Sequence, residues 1–290
     1  MLINRKLVHI DTPLAHQGFL GKDHTARALI QNNFLESDPF ILLMDDILDK
    51  QDDEPIGGPH PHAGFETVSL LLAGEVGDPA HQMKSGDFQI MTAGSGIIHT
   101  ETIKKKSKMH LLQLWLNLPK EKRWVTPRVQ DISLDKVPEV TEDGLFIKVY
   151  SGSFAGATSP VHNYVPLIVA DIQMRETTSI INNIPASFNA FLIVLEGSLK
   201  IGNEEDVLVQ GQVGWLDKHS GNGQSELKLV AGTCGVRVIL YAGQPQGDKI
   251  ISHGPFIGDK NEDITRLYKE YRDGKMKNIS TVAGNQRIKF

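Results

Sequence analysis

Leu72-Ala73-Gly74-Glu75-Val76 and Leu195-Glu196-Gly197-Ser198-Leu199 each close an apolar run with a glycine turn, and a second turn follows each, at Gly86-Asp87 and Gly211-Gln212. Such a repeat within 290 residues points to two copies of one unit, each long enough to bury its own core. The runs are short and rich in β-branched or large apolar residues, as at 67–72, 110–116, 191–195 and 236–241. Separated by turn signals, they predict an all-β sandwich or barrel architecture.

Helical spacing appears late, over 261–273, where Ile264, Leu267, Tyr268 and Tyr271 share one face and Gly274 supplies a stop. Its apolar face predicts a C-terminal helix packed on the barrels. A polar, proline-bearing stretch around 125–144 separates the two copies, so the expected domains are 1–130 and 131–290.

Two short clusters carry ligand-type side chains two residues apart: His60 with His62, and His99 with Glu101. Alternate residues of a strand share a face, so each pair can converge on one point. Imidazoles and a carboxylate suit Fe(II), Zn, Ni, Cu or Mn, and a facial set leaves open positions for water, dioxygen or a chelating substrate. A closed tetrahedral zinc site would use the same number of donors. Glu66, four residues after His62, is an alternative carboxylate, and periodicity does not choose between it and Glu101. Pro61 lacks a backbone donor, which predicts an edge or strand-entry position for the first pair. His110 is either a residue that orients a ligand or a core histidine, whereas His81, His162, His219 and His253 lie in turn-like contexts. In the second copy the positions of His60 and His62 fall on Asn183 and Pro185, so that copy is expected to hold no metal.

A net charge of −5 and a pI near 6.1 give no footprint for a phosphate backbone. The run Lys104, Lys105, Lys106 and Lys108 reads as a solvated loop, and direct nucleic-acid binding is not expected. With Cys234 as the sole cysteine, neither an internal disulfide nor a cysteine zinc cluster can form, which fits a reducing compartment. The first residues lack the apolar stretch of a signal peptide and no run has the length of a membrane span, so the expectation is a soluble cytoplasmic protein. Neither a phosphate loop nor a nucleophile elbow is present.

The segments His60-Pro61-His62-Ala63-Gly64-Phe65-Glu66-Thr67-Val68, Met91-Thr92-Ala93-Gly94-Ser95-Gly96-Ile97-Ile98-His99-Thr100-Glu101, Gln113-Leu114-Trp115-Leu116-Asn117-Leu118-Pro119 and Gly254-Pro255-Phe256-Ile257 closely resemble the pirin family of bicupins. Asp38-Pro39-Phe40 also fits, so the likeness runs through nearly the whole chain. The resemblance implies two cupin-type β-barrels, a mononuclear Fe(II) site on His60, His62, His99 and Glu101 in the first, and a second barrel usually without metal. It selects Glu101 over Glu66.

Some pirins resemble quercetin 2,3-dioxygenases, which open a flavonol ring with O2. The resemblance therefore implies a small aromatic, flavonol-like substrate, with Glu101 as the candidate base. Others act as regulatory cofactors, which implies instead a protein partner, such as a transcription factor or metabolic enzyme, that responds to the metal's oxidation state. A monomer is expected. Two departures bear on specificity: Ala63 stands where many pirins have arginine, and the hairpin between Gly77 and Ser85 is short.

Overall fold

The computed structural model describes residues 3–31, 34–77, 82–203 and 206–290, and strands make up most of it. His81 and part of the short hairpin after Gly77 lie outside the described residues. Two compact units emerge: Leu14–Lys136 with Gln246–Phe290, and Met1–Pro13 with Val137–Pro245. This differs at both ends from contiguous domains at 1–130 and 131–290. The reason is edge pairing, which covers open strand edges with the termini. Leu7–Asp11 pairs with Val213–Leu216, while Lys277–Asn278 and Arg287–Lys289 pair with Ile97–His99 and Arg128–Ile132.

In the unit holding the paired histidines, the described residues form an eight-stranded sheet. Its central order is Arg128–Ile132, Phe88–Thr92, Phe65–Ala73, Ser107–Asn117, Phe40–Lys50 and His24–Ile30. Register assigns the faces, because directly opposed residues of antiparallel strands share one. Trp115 lies opposite Thr67 and Leu42, Gln113 opposite Ser69 and Met44, and Leu111 opposite Leu71 and Asp46. The alternate set, Leu112, Leu114 and Leu116 with Val68 and Leu70, is fully buried on the other face.

The second unit repeats the plan around a ten-stranded sheet, again counted over the described residues, with Ile172, Leu192, Leu199, Val238 and Leu240 at 0% exposure in its core. The repeat read from the glycine turns is visible in the hydrogen bonds. The Gly86 N–H donates to the Leu71 carbonyl at 2.6 Å and the Leu71 N–H to the Asp87 carbonyl at 3.1 Å. Gly211, Val194 and Gln212 repeat the exchange at 2.9 and 3.1 Å. Gly74 (φ 96°) and Gly197 (φ 75°) each face a backbone carbonyl oxygen where a Cβ would lie at 2.1 Å, so both positions require glycine.

The C-terminal helix spans Asn261–Arg272. Asp263 Oδ2 accepts the Asp259 and Lys260 N–H groups at 3.1 and 3.2 Å, satisfying donors at the helix start. Ile264 and Leu267 pack with Phe256, Met276 and Ala63, so the helix belongs to the first unit. Tyr271, expected on the same apolar face, is 38% exposed. Among the described residues no helix is long and apolar enough to cross a membrane.

Candidate metal centre

His60-Pro61-His62 forms the edge strand of a three-stranded sheet next to Ile97–His99, as a proline with no N–H requires. His99 lies directly opposite His60, and Ile97 opposite His62. The Gly254–Ile257 segment braces this edge from behind: the Ile257 N–H donates to the Ala63 carbonyl at 2.9 Å, and Phe256 is fully buried. That contact is the structural purpose of the Gly-Pro-Phe-Ile motif.

The three imidazoles converge. His99 Nε2 lies 2.7 Å from His60 Nε2 and 3.0 Å from His62 Nε2, with ring centroids 4.3 to 4.9 Å apart. His60 Nδ1 lies 3.0 Å from the Gly58 carbonyl, which assigns the proton to Nδ1 and leaves a lone pair on Nε2. Burial, with His60 as a second cause, pushes His62 down to about 3, and burial also drives His99 well below the usual histidine range. Both rings are therefore neutral near pH 7. His62 Nδ1 is buried beside the Pro255 carbonyl without good hydrogen-bond geometry. Three rings turn the same nitrogen inward, and a single proton between them cannot satisfy all three. A cation can, so the donor set fits a metal.

Right-angled bonds of about 2.0–2.1 Å put neighbouring nitrogens about 2.9 Å apart, whereas tetrahedral angles put them about 3.3 Å apart. Two of the Nε2 separations, both from His99, are near the right-angled value, and all three ligand nitrogens lie within 4.8 Å of one another.

Glu101 is outside the three-histidine group and lines the cavity that His60 and His62 also line. Its Oε1 accepts the Gln113 amide, and Gln113 also donates to Ser69 Oγ at 3.4 Å. Burial raises the proton affinity of Glu101, His60 and Gln113 oppose the shift, and Asp46 adds to it. The cavity has a volume of about 950 Å³, within the usual range for small-molecule sites, and Leu42, Met44, Leu111 and Trp115 give it an apolar wall. Phe65 stacks on Trp115 with centroids 4.3 Å apart, and both contact the His62 ring edge-on.

Glu66 is placed on the opposite face of the sheet, in register with Leu116 and Thr92. Its Oε1 accepts the Thr92 hydroxyl at 2.5 Å, Oε2 has no partner, and burial raises its pKa to about 7. A carboxyl raised from 4.5 stabilises the fold fully below pH 4.5 and loses that contribution as pH rises through 7. We expect the wild type to lose about 3 kcal/mol relative to Glu66→Gln across this window. Chemical denaturation at pH 4.5 and 8 measures the difference, and a pH-independent gap would contradict it.

His110 also alternates away from the cavity. Its Nε2 pairs with the buried Asp45 Oδ1 at 2.7 Å on the face that also carries Leu112 and Leu114, so it does not line the cavity. Lys104, Lys105 and Lys106 are exposed in a loop, as expected, whereas Lys108, also exposed, lies in the Ser107–Asn117 strand. Sequence reasoning missed Gln113, His24 and Asp46, all of which line the cavity. The available signal was Asp45-Asp46 inside the otherwise apolar run from Phe40 to Leu48, which must send one carboxylate to each face. In the second unit the corresponding strand pair sets Asn183 opposite Glu226 and Pro185 opposite Gln224, where the first has His60 opposite His99 and His62 opposite Ile97.

Comparison with known proteins agrees with this architecture. The family model Pirin matches residues 22–116, and the model of the Pirin C-terminal cupin domain matches 169–277. Pirin of Mus musculus is 32% identical over 257 residues, covering 82% of each chain. The crystal structure of a quercetin 2,3-dioxygenase from Acinetobacter baumannii has a TM-score of 0.82 at 25% identity, covering 94% of this chain and 98% of that one. A bacterial pirin from Escherichia coli, solved in complex with nickel(II), shares the fold with a TM-score of 0.61 at 18% identity, covering 82% and 98%. With both cupin units matched in order and about a third of the aligned residues identical to those of a curated relative, the chain belongs to the pirin family.

Proposed function

We propose that His60, His62, His99 and Glu101 hold one divalent transition metal, Fe(II), and that the site oxygenates a flavonol-like substrate in the adjoining cavity. The observation that carries this reading is the convergence of three lone-pair nitrogens at 2.7 and 3.0 Å beside a cavity of about 950 Å³. The nickel(II) complex of the Escherichia coli pirin and the quercetin 2,3-dioxygenase relative support it. When bound, the metal supplies Lewis acidity to a chelating oxygen and a position for O2.

Glu101 takes the proton of the substrate hydroxyl, for which its raised proton affinity suits it. Gln113 holds that carboxylate in place through its amide. Trp115, Leu42 and Met44 give a planar ring an apolar surface and exclude water from the reacting face.

Elemental analysis of protein purified without added metal, together with O2 uptake on quercetin, tests the proposal. The wild type should carry near-stoichiometric iron and consume O2, and His62→Ala should carry little metal. Wild-type protein that takes up no metal would remove the site. Iron-loaded protein that consumes no O2 with quercetin would remove the oxygenase reading.

A second reading rests on Ile103, which lines the cavity and is followed directly by the exposed Lys104, Lys105 and Lys106. In it the metal's oxidation state changes the affinity for a protein partner through this segment. Equal partner capture by reduced, oxidised and metal-free protein would rule it out.

A further inference from the structure

The proposed metal chemistry leaves one carboxylate of the cavity without a role. Asp46 lies on the wall formed by Phe40–Lys50, opposite Leu111, and is 8% exposed. His24, 1% exposed, reaches it from the neighbouring strand with Nε2 2.8 Å from Asp46 Oδ1. The Leu20 N–H donates to His24 Nδ1 at 3.1 Å. A ring nitrogen that accepts carries no proton, so Nε2 bears the hydrogen and donates to Asp46. Phe19 meets the same ring edge-on at 5.5 Å, and Gly18 leaves room for it, since a Cβ there would lie 2.0 Å from Nδ1. The loop, the imidazole and the carboxylate therefore form a built arrangement that orients Asp46.

A carboxylate offers about four lone-pair positions, and His24 takes one of them. The flanking walls, Leu20, Ile103 and Leu111, are apolar. An oriented acceptor in such a wall discriminates strongly between ligands that present a donor to it and those that do not.

We infer that Asp46, oriented by His24, is a second ligand anchor in the cavity: it accepts a hydrogen bond from a ring hydroxyl remote from the group held at the histidine cluster. The cavity thereby selects polyhydroxylated planar aromatics over those carrying only the chelating hydroxyl. This rests on the reading of the cavity as the substrate pocket.

The test measures binding of quercetin and of 3-hydroxyflavone by calorimetry under nitrogen, with the full chain loaded with nickel(II). Wild type should prefer quercetin by about tenfold to a hundredfold, the range of one hydrogen bond to a charged acceptor. In Asp46→Asn the amide oxygen still accepts from His24 Nε2, so the loop keeps its anchor while the cavity gains a donor in place of an acceptor. That variant should lose most of the preference and bind 3-hydroxyflavone within about twofold of wild type, the mark of an interaction that acts through one contact. Equal wild-type affinities, a preference that survives Asp46→Asn, or equal losses for both ligands would each overturn the assignment and leave the pocket standing. A wild type that binds neither ligand would instead overturn the pocket reading, and this inference with it.

Discussion

Alanine at position 99 is expected to leave the protein folded but without bound metal. His99 Nε2 is the nitrogen within 3.0 Å of both other imidazoles, so its loss removes the central donor and leaves two imidazoles with only the Glu101 carboxylate to hold a cation. Loss of a group that merely orients a ligand costs tenfold to a hundredfold in affinity, and loss of a ligand costs more, so the decrease should exceed about a hundredfold. The same change relieves the crowding of unprotonated nitrogens in the metal-free state and need not lower its stability. Chelation should therefore lower the melting temperature of wild type and leave that of His99→Ala unchanged, because only a ligand of the native state stabilises that state. Scanning calorimetry with and without chelator checks both halves. Metal retained by His99→Ala at wild-type affinity would place the cation elsewhere.

Arg123→Ala is expected to cost about 3–5 kcal/mol, the usual consequence of breaking a buried ion pair from one side. Arg123 is 0% exposed. Its Nε donates to Asp259 Oδ1 at 2.8 Å, and its Nη1 to the Gly64 carbonyl at 3.0 Å and Asn117 Oδ1 at 2.9 Å. One guanidinium thus joins the turn after His62, the end of the Ser107–Asn117 strand and the approach to the C-terminal helix. Alanine would strand the Asp259 carboxylate and the Asn117 amide together. For a unit of this size the thermal midpoint should fall by about 10 °C or more. Arg123→Lys keeps the charge without the planar fork and should recover only part of the loss. A fall of less than about 1 kcal/mol on Arg123→Ala would show that the three segments hold together without it.

Some of this architecture was legible because its signals are local. Strand alternation brought His60 and His62 to one face, and the same rule applied to Ile97–His99 brought the third imidazole to them. The glycine turns announced the duplication because a backbone carbonyl occupies the place of the missing Cβ in both copies. The terminal helix followed from Ile264 and Leu267, which are buried as their spacing requires.

The carboxylates were different. Glu66 and Glu101 are both even steps from a histidine, and only the pairing of Glu66 with Leu116 and Thr92 shows that it turns into the core. His110 presented the same ambiguity until its pairing with Asp45 assigned it to the face away from the cavity.

What the sequence by itself determined, then, is what short-range periodicity and turn chemistry encode: β-strands, their duplication, and a set of histidines able to share a face. Tertiary structure decided which carboxylate faces the cavity, that Gln113 holds it, that the His24–Asp46 pair lines the same cavity, and that the termini close opposite units. All of these depend on which strands lie side by side and in what register. A shift of one residue in such a pairing turns every side chain of the strand to the other face, and residues distant along the chain set that register.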